Sequence, residues 1–229
     1  MVVGGGAAGC VVAARLSETA SRSVLLVEAG PDLRSNIPEG FSDGWRLPQG
    51  CDWGYESEPG EQAPVQPLRR GKLIGGTSWL TRFAVRGAPA DYDEWAAIGN
   101  PGWAFDDVLP YFRRLETDLD FGDRAWHGDR GPLPITRYPD VELTDVGAAG
   151  MEALGATGFG IIDDHNQPGA LGAGRMPMSS CGGVRVTTAD AYLPVRNTPE
   201  NLTIRSESSV AEVAFDRTRA AGSCSKTAR

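Results

Sequence analysis

An α/β fold that opens on a dinucleotide-binding unit is predicted by three features of the first thirty residues. Gly4, Gly6 and Gly9 satisfy G-x-G-x-x-G, a short apolar run (Met1, Val2, Val3) precedes them, and Glu28 follows Gly9 by nineteen positions after the run Val24-Leu25-Leu26-Val27. This is the spacing of a strand, a tight turn, a helix and a second strand ending in an acid. Glycine is abundant here, 30 of 229 residues. The motif alone would therefore weigh little, and the flanking strands, helix and acid give it force.

Each position has a physical task. Gly4 permits the turn, Gly6 lets a pyrophosphate approach the backbone, and Gly9 lets the helix pack closely on the strand. The helix starts near Ala7 and runs on through Ala8, aiming free N–H groups and the positive end of its dipole at the phosphates. Glu28 is placed to accept hydrogen bonds from a ribose diol, and its charge repels a 2′-phosphate, which argues against NADP. Only three residues precede the turn, fewer than the about 5–6 of a usual strand. Either the first strand is short or the true start lies upstream.

Composition sets outer bounds. A chain of 229 residues with 41% apolar and 23% charged residues suits a globular protein with a substantial core. A net charge of −8 without a basic cluster argues against nucleic acid or an anionic membrane as a partner. No apolar run reaches the about 18 residues of a spanning helix, and no signal peptide is legible. Cys10, Cys51, Cys181 and Cys224 form no C-x-x-C pair. A metal site and a disulfide framework are therefore not expected, and a cytoplasmic location is.

After Gly30 the residues to position 60 are rich in Gly, Pro, Asp and Ser and read as irregular, with Trp45 and Trp53 as expected anchors. A second glycine cluster follows, Gly75-Gly76-Thr77-Ser78 within residues 71–80, and it suits either a loop pressed on a ligand or a plain tight turn. Asp91 is the expected cap of a short helix, with Glu94 completing a capping box. Asp106 is the expected cap of another, whose Val108, Leu109, Phe112 and Leu115 make an apolar stripe. A further helix fits residues 145–154. Thr187 or Thr188 caps a short helix stopped by Pro194, and residues 202–205 and 210–215 alternate as strands.

The motifs taken in order resemble the glucose–methanol–choline (GMC) oxidoreductases. The resemblance rests on the opening Val-Val-Gly-Gly-Gly-Ala-Ala-Gly-Cys, Glu28-Ala29-Gly30-Pro31, Asp52-Trp53-Gly54-Tyr55, Gly71-Lys72-x-Ile74-Gly75-Gly76-Thr77-Ser78, Arg86-Gly87-x-x-x-Asp91-Tyr92-Asp93, and Gly-x-Arg-x-Thr-Thr-x-x-Ala-Tyr-Leu at residues 183–193. It implies an incomplete Rossmann-like FAD-binding domain with part of an α+β substrate domain. Residues 1–104 would be FAD-binding, 105–197 a partial substrate-binding region, and 198–229 a return to the FAD domain. It also implies oxidation of an alcohol by hydride transfer to FAD. Gly4, Gly6, Ala7, Ala8, Gly9 and Glu28 would hold the ADP half, Gly75, Gly76, Thr77 and Ser78 would lie along the pyrophosphate, and Val210 would meet the adenine through its backbone.

Three departures qualify the resemblance. Thr81-Arg82-Phe83 stands where many members carry Asn-x-Met. Leu80 occupies the place of the histidine that attaches flavin in some members, so FAD is expected to be non-covalent. The family's catalytic histidine and its partner belong to a C-terminal half that these residues do not include. The chain is therefore expected to be a truncated or split form, inactive by itself, and a separately encoded C-terminal half is the partner that a split form would have. His127 sits in a Gly/Pro-rich turn and His165 in an acidic loop, neither placed as a catalytic base, and Asp163 and Asp164 need not converge. A non-catalytic flavin module is one alternative; another is a compact NAD-dependent dehydrogenase, which lacks support from any Tyr-x-x-x-Lys pair.

Overall fold

The computed structural model describes residues 1–39, 41, 46–58, 60, 64–138 and 143–225. Trp45 and residues 226–229 lie outside them. The chain falls into two compact units, one made of residues 1–81 and 187–229, the other of residues 82–186.

The first unit begins with β1 (Val2–Val3), α1 (Ala7–Ser17) and β2 (Val24–Val27). β1 runs parallel to β2, pairing Val2 with Leu26 and Val3 with Val27. β1 has two residues. On α1, Cys10, Ala13 and Ser17 are buried, a stripe of small side chains that lets the helix lie close. β3 (Tyr55–Glu56) and β4 (Pro67–Leu68) form a small exposed hairpin, and a one-turn 3-10 helix covers Gly76–Trp79.

The intended anchor differs from expectation. Trp53 is 41% exposed, stacked on Tyr55 with the Lys72 ammonium over its ring. Trp79 is the buried one, 1% exposed. Its indole N–H donates to the Ile74 carbonyl at 2.9 Å, and its ring joins Cys51 and Leu73 in a core flanked by Leu33, Phe41 and Leu47. A buried indole needs that acceptor, and the glycine loop supplies it.

The second unit contains α2 (Pro89–Ala97), α3 (Phe105–Leu115), β5 (Glu116–Asp118), β6 (Leu133–Arg137), α4 (Asp145–Ala156), β7 (Pro177–Cys181) and β8 (Val184–Arg185). The four strands form one sheet in the order β5-β6-β7-β8, parallel only between β5 and β6. The caps of α2 and α3 sit earlier than expected. Ala88 caps α2, and Asp91 is the third helical residue, its carboxylate accepting the Ala88 N–H at 2.7 Å. α3 is capped at Ala104, with Asp106 and Asp107 in its first turn. Acids there still favour the helix, through the dipole. Val108, Leu109, Phe112 and Leu115 are the half-buried stripe of α3.

The chain then returns to the first unit through α5 (Thr188–Tyr192), β9 (Leu202–Arg205), β10 (Val210–Asp216) and β11 (Arg219–Ser225). β9 extends the parallel sheet to β1-β2-β9, pairing Val24 with Leu202. The Asn201 side-chain amide donates to the carbonyls of Ser17, Thr19 and Arg22 and so closes the end of α1. β11 was not foreseen, because residues 219–225 lack apolar alternation. It pairs antiparallel with β10 across a turn in which Arg217 takes a φ of 55°, so backbone hydrogen bonding rather than side-chain burial holds it. The boundaries of these compact units, after residues 81 and 186, differ from the sequence-based regions 1–104, 105–197 and 198–229.

Candidate cofactor-binding site

The glycine turn joins β1 to α1. Gly4 donates its N–H to the Val27 carbonyl at 2.8 Å and takes a φ of +90°, a conformation that favours glycine. A Cβ on Gly9 would lie 1.8 Å from the Gly4 carbonyl oxygen, so this position must be glycine for the helix to reach the strand. Gly6 differs. A Cβ there would meet no protein atom within 4 Å, so the fold itself leaves that face open. No side chain caps α1, and Ala7 and Ala8 are exposed beside the open face. The first-turn N–H groups are thus offered to a ligand, as anion sites at helix starts require.

The second glycine cluster packs on the first. The Gly75 N–H donates to the Gly5 carbonyl at 2.7 Å, and a Cβ on Gly76 would come within 2.7 Å of the Gly6 Cα. Gly75 and Gly76 both have positive φ, 95° and 52°. The two hydroxyl residues serve the loop itself: Thr77 Oγ1 accepts the Gly71 N–H at 3.1 Å, and Ser78 Oγ–H donates to the Gly75 carbonyl at 2.6 Å. Ser78 Oγ also accepts the Thr188 N–H and lies 3.2 Å from its hydroxyl. Thr188 and Cys10, whose Sγ–H donates to the Gly5 carbonyl at 3.1 Å, therefore belong to the cradle. Burial pushes the Cys10 thiol up to about 11. Sequence reading had Thr188 only as a helix cap and Cys10 only as part of a motif.

Glu28 is buried, 5% exposed. One carboxylate oxygen accepts the Gly5 N–H at 2.7 Å and the other the Gly30 N–H at 2.9 Å. Val210 starts β10, two residues after Ser208, whose N–H donates to the Glu28 carbonyl at 2.8 Å. The two glycine clusters and Glu28 thus meet in one cradle, while Val210 lies two residues beyond the Ser208 bond to Glu28, all within the first unit.

Comparison with known proteins decides what the cradle belongs to. The GMC oxidoreductase family model, in its N-terminal part, matches residues 1–228. The chain belongs to the GMC oxidoreductase family. It is 39% identical over 97% of its length to a GMC-type oxidoreductase of Rhodococcus erythropolis, covering 45% of that protein. It is 38% identical over 92% of its length to the 5-(hydroxymethyl)furfural oxidase of Methylovorus sp., covering 42% of it. Among solved structures, pyridoxine 4-oxidase from Mesorbium loti superposes with a TM-score of 0.87 at 32% identity, over 97% of this chain and 46% of that one. The chain spans less than half the length of each of these relatives. FAD is the cofactor of this N-terminal GMC domain, and an open, uncapped helix start behind a glycine turn fits a dinucleotide pyrophosphate. Among the described residues no helix is long and apolar enough to cross a membrane.

The second unit of this GMC chain holds a different polar centre. His127 is 1% exposed. Its Nδ1 lies 2.7 Å from Glu116 Oε1 and 3.1 Å from Asp118, and its Nε2 lies 2.9 Å from Asp164 Oδ2. With carboxylates on both ring nitrogens, both must donate, so the ring is an imidazolium. Arg137 bridges Asp118 and Asp164, at 2.6 Å and 2.9 Å, while Arg86 pairs with Glu116. Trp126 donates its indole N–H to Asp164 at 2.8 Å, and Arg124 stands 4.0 Å from it. Three carboxylates thus meet three buried cations. Glu116, Asp118 and His127 sit close enough to suggest a metal cluster, but the arginines and the imidazolium already neutralise them.

Burial works to lower the His127 pKa, yet the hydrogen bonds to Asp164 and Glu116 and the Asp118 charge outweigh it and hold it above its ordinary value. Burial works to raise Asp164, and hydrogen bonds from His127, Trp126 and the Asn166 N–H outweigh it, holding the carboxyl well below the usual range. His165 faces the Gly174 carbonyl through Nε2 at 3.0 Å. Asp163 is exposed while Asp164 is buried, so the two adjacent acids indeed diverge.

Proposed function

We propose that this chain binds FAD non-covalently as the cofactor-holding part of an oxidoreductase acting on CH–OH groups. The observation that carries the reading is the packing of Gly75 and Gly76 against Gly5 and Gly6 at the uncapped start of α1. In this reading Gly4, Gly6, Ala7, Ala8 and Gly9 receive the pyrophosphate, and Glu28 the adenosine ribose. Gly75, Gly76, Thr77 and Ser78 wall the other side, and the Val210 backbone meets the adenine. Leu80 offers no atom for a covalent bond to flavin, which supports non-covalent binding. When bound, FAD supplies the hydride acceptor for an alcohol carbon; the relatives named as 5-(hydroxymethyl)furfural oxidase and pyridoxine 4-oxidase support that reaction class. The regions 1–104, 105–197 and 198–229 remain our functional division of the chain.

The proton released by the alcohol needs an acceptor near neutrality. His127 is committed on both nitrogens to carboxylates and His165 to the Gly174 carbonyl. These favour a flavin module whose own histidines do not turn over alcohols. The purified chain, reconstituted with FAD, is expected to show flavin absorbance near about 370 and 450 nm that acid precipitation releases into solution. A protein that takes up no flavin overturns the reading. Bleaching of those bands by an anaerobic alcohol panel would show that residues of this chain suffice for turnover.

A further inference from the structure

Gly5 is a free position of the G-x-G-x-x-G pattern, yet its peptide is held on both sides by partners distant in the chain. Its N–H is held by Glu28 at 2.7 Å. Its carbonyl accepts both the Gly75 N–H at 2.7 Å and the Cys10 thiol at 3.1 Å. A Cβ on it would lie 2.6 Å from Ile74 Cδ1 and 3.1 Å from the Glu28 Cβ. The Gly5 peptide is therefore the hub between the two glycine clusters. The carboxylate that fixes it is itself placed by the sheet: Glu28 N–H donates to the Arg205 carbonyl at 2.9 Å, and its carbonyl accepts the Ser208 N–H at 2.8 Å.

We propose that Glu28 is a positioning residue: its carboxylate sets the Gly5 peptide, and through it the start of α1 and the Gly75–Gly76 wall, before and apart from any contact with ribose. The proposal rests on the dinucleotide reading only for what the cradle receives. The chemistry is that of a buried charged acceptor holding two main-chain donors. A carboxylate can accept from Gly5 and Gly30 together. A glutamine cannot, since its NH2 would face one of the two N–H groups, donor against donor.

The test compares Glu28→Gln with the native chain free of nucleotide, by amide hydrogen exchange. Gly5 and Gly30 are expected to exchange at least about tenfold faster in the variant, the loss of one charge-assisted bond, while Leu26 in β2 keeps its protection and shows the sheet intact. Unchanged protection at Gly5 overturns the proposal. Glu28→Asp, which keeps the charge but withdraws it by one methylene, is the second variant should Glu28→Gln not fold, and the same loss is expected. Affinity for ADP and for 2′,3′-dideoxy-ADP then separates the two roles. A weakening of about tenfold that persists for the dideoxy probe supports positioning, whereas a loss confined to ADP assigns Glu28 to the ribose alone and overturns it. Failure of the native chain to bind either probe would count against the FAD reading, with the exchange result still deciding the role of Glu28.

Discussion

Around Gly5 the polar groups that meet are almost all main-chain amides and carbonyls, with Glu28 and the Cys10 thiol as the side-chain partners. Around His127 the groups that meet are chiefly charged side chains, three carboxylates, two guanidinium groups and an imidazolium, buried together with a few main-chain N–H donors such as those of Asn166 and Gly128. The first arrangement leaves donors over, because the α1 start is uncapped and Gly6 open. The second pairs its charges and leaves over one buried donor, the Arg137 Nε–H. A surplus of fixed donors can receive an anion, whereas a balanced cluster can only hold its own unit together. The open, uncapped donors of the first centre suit it to the proposed dinucleotide.

The largest effect should come from breaking the balanced cluster. His127→Ala removes the central cation and leaves Glu116, Asp118 and Asp164 facing two arginines. Unpairing a buried charge costs about 3–5 kcal/mol, and a lower urea midpoint is the measurement. A loss under about 1 kcal/mol would mean that the cluster is as weak as a surface pair.

Within the glycine turn the two kinds of position can be separated. Gly9→Ala forces a Cβ onto the Gly4 carbonyl and should cost about 2–3 kcal/mol of stability. Gly6→Ala meets no protein atom and should cost at most about 1 kcal/mol as a poorer cap. Its FAD affinity should nevertheless fall at least about tenfold, read by flavin fluorescence titration. A Gly6→Ala protein that binds FAD like the native chain would sink the pyrophosphate assignment.

The same contrast explains what was legible in the sequence. The glycine turn is a local device: Gly4 through Gly9 constrain one another, and Glu28 is one helix and one strand away, so spacing alone exposed it. Gly5 was missed because its constraint comes from Gly75 and Glu28, distant partners that no short pattern encodes. The His127 cluster draws on positions 86, 116, 118, 127, 137 and 164, and no periodicity marks such a set. His127 was legible only as a turn residue. β11 was hidden because its ladder is held by the backbone, and the early caps of α2 and α3 because Ala88 and Ala104 carry no capping side chain.

Titration separates the two centres further, since amides do not titrate in the accessible range and His127 does. Its folded pKa lies above the ordinary 6.5. Its contribution is therefore complete below about pH 6.5 and is lost as pH rises through the folded value. The decline should approach about 1.4 kcal/mol per pH unit while that single proton is lost. Asp164, with a lowered pKa, acts oppositely: its contribution is present above the ordinary carboxylate range and lost only as pH falls through the folded value. Urea midpoints between pH 6 and 10 should fall for the native chain and fall less for His127→Gln. Parallel profiles would refute the imidazolium assignment.

The smallest effect belongs to the seam between the Gly75–Gly76 wall and α5. Thr188→Val keeps the shape and the backbone N–H that donates to Ser78 Oγ but deletes the hydroxyl 3.2 Å from it. Ser78 Oγ–H still has the Gly75 carbonyl at 2.6 Å, so no buried donor is stranded and the cost should stay at about 0.5–1 kcal/mol. FAD affinity should move less than about threefold, since the wall is held chiefly by the Gly75 N–H on Gly5. A loss as large as that of Gly6→Ala would mean that the hydroxyl pair, and not the Gly5 peptide, sets the wall, and the order of importance around the cradle would be reversed.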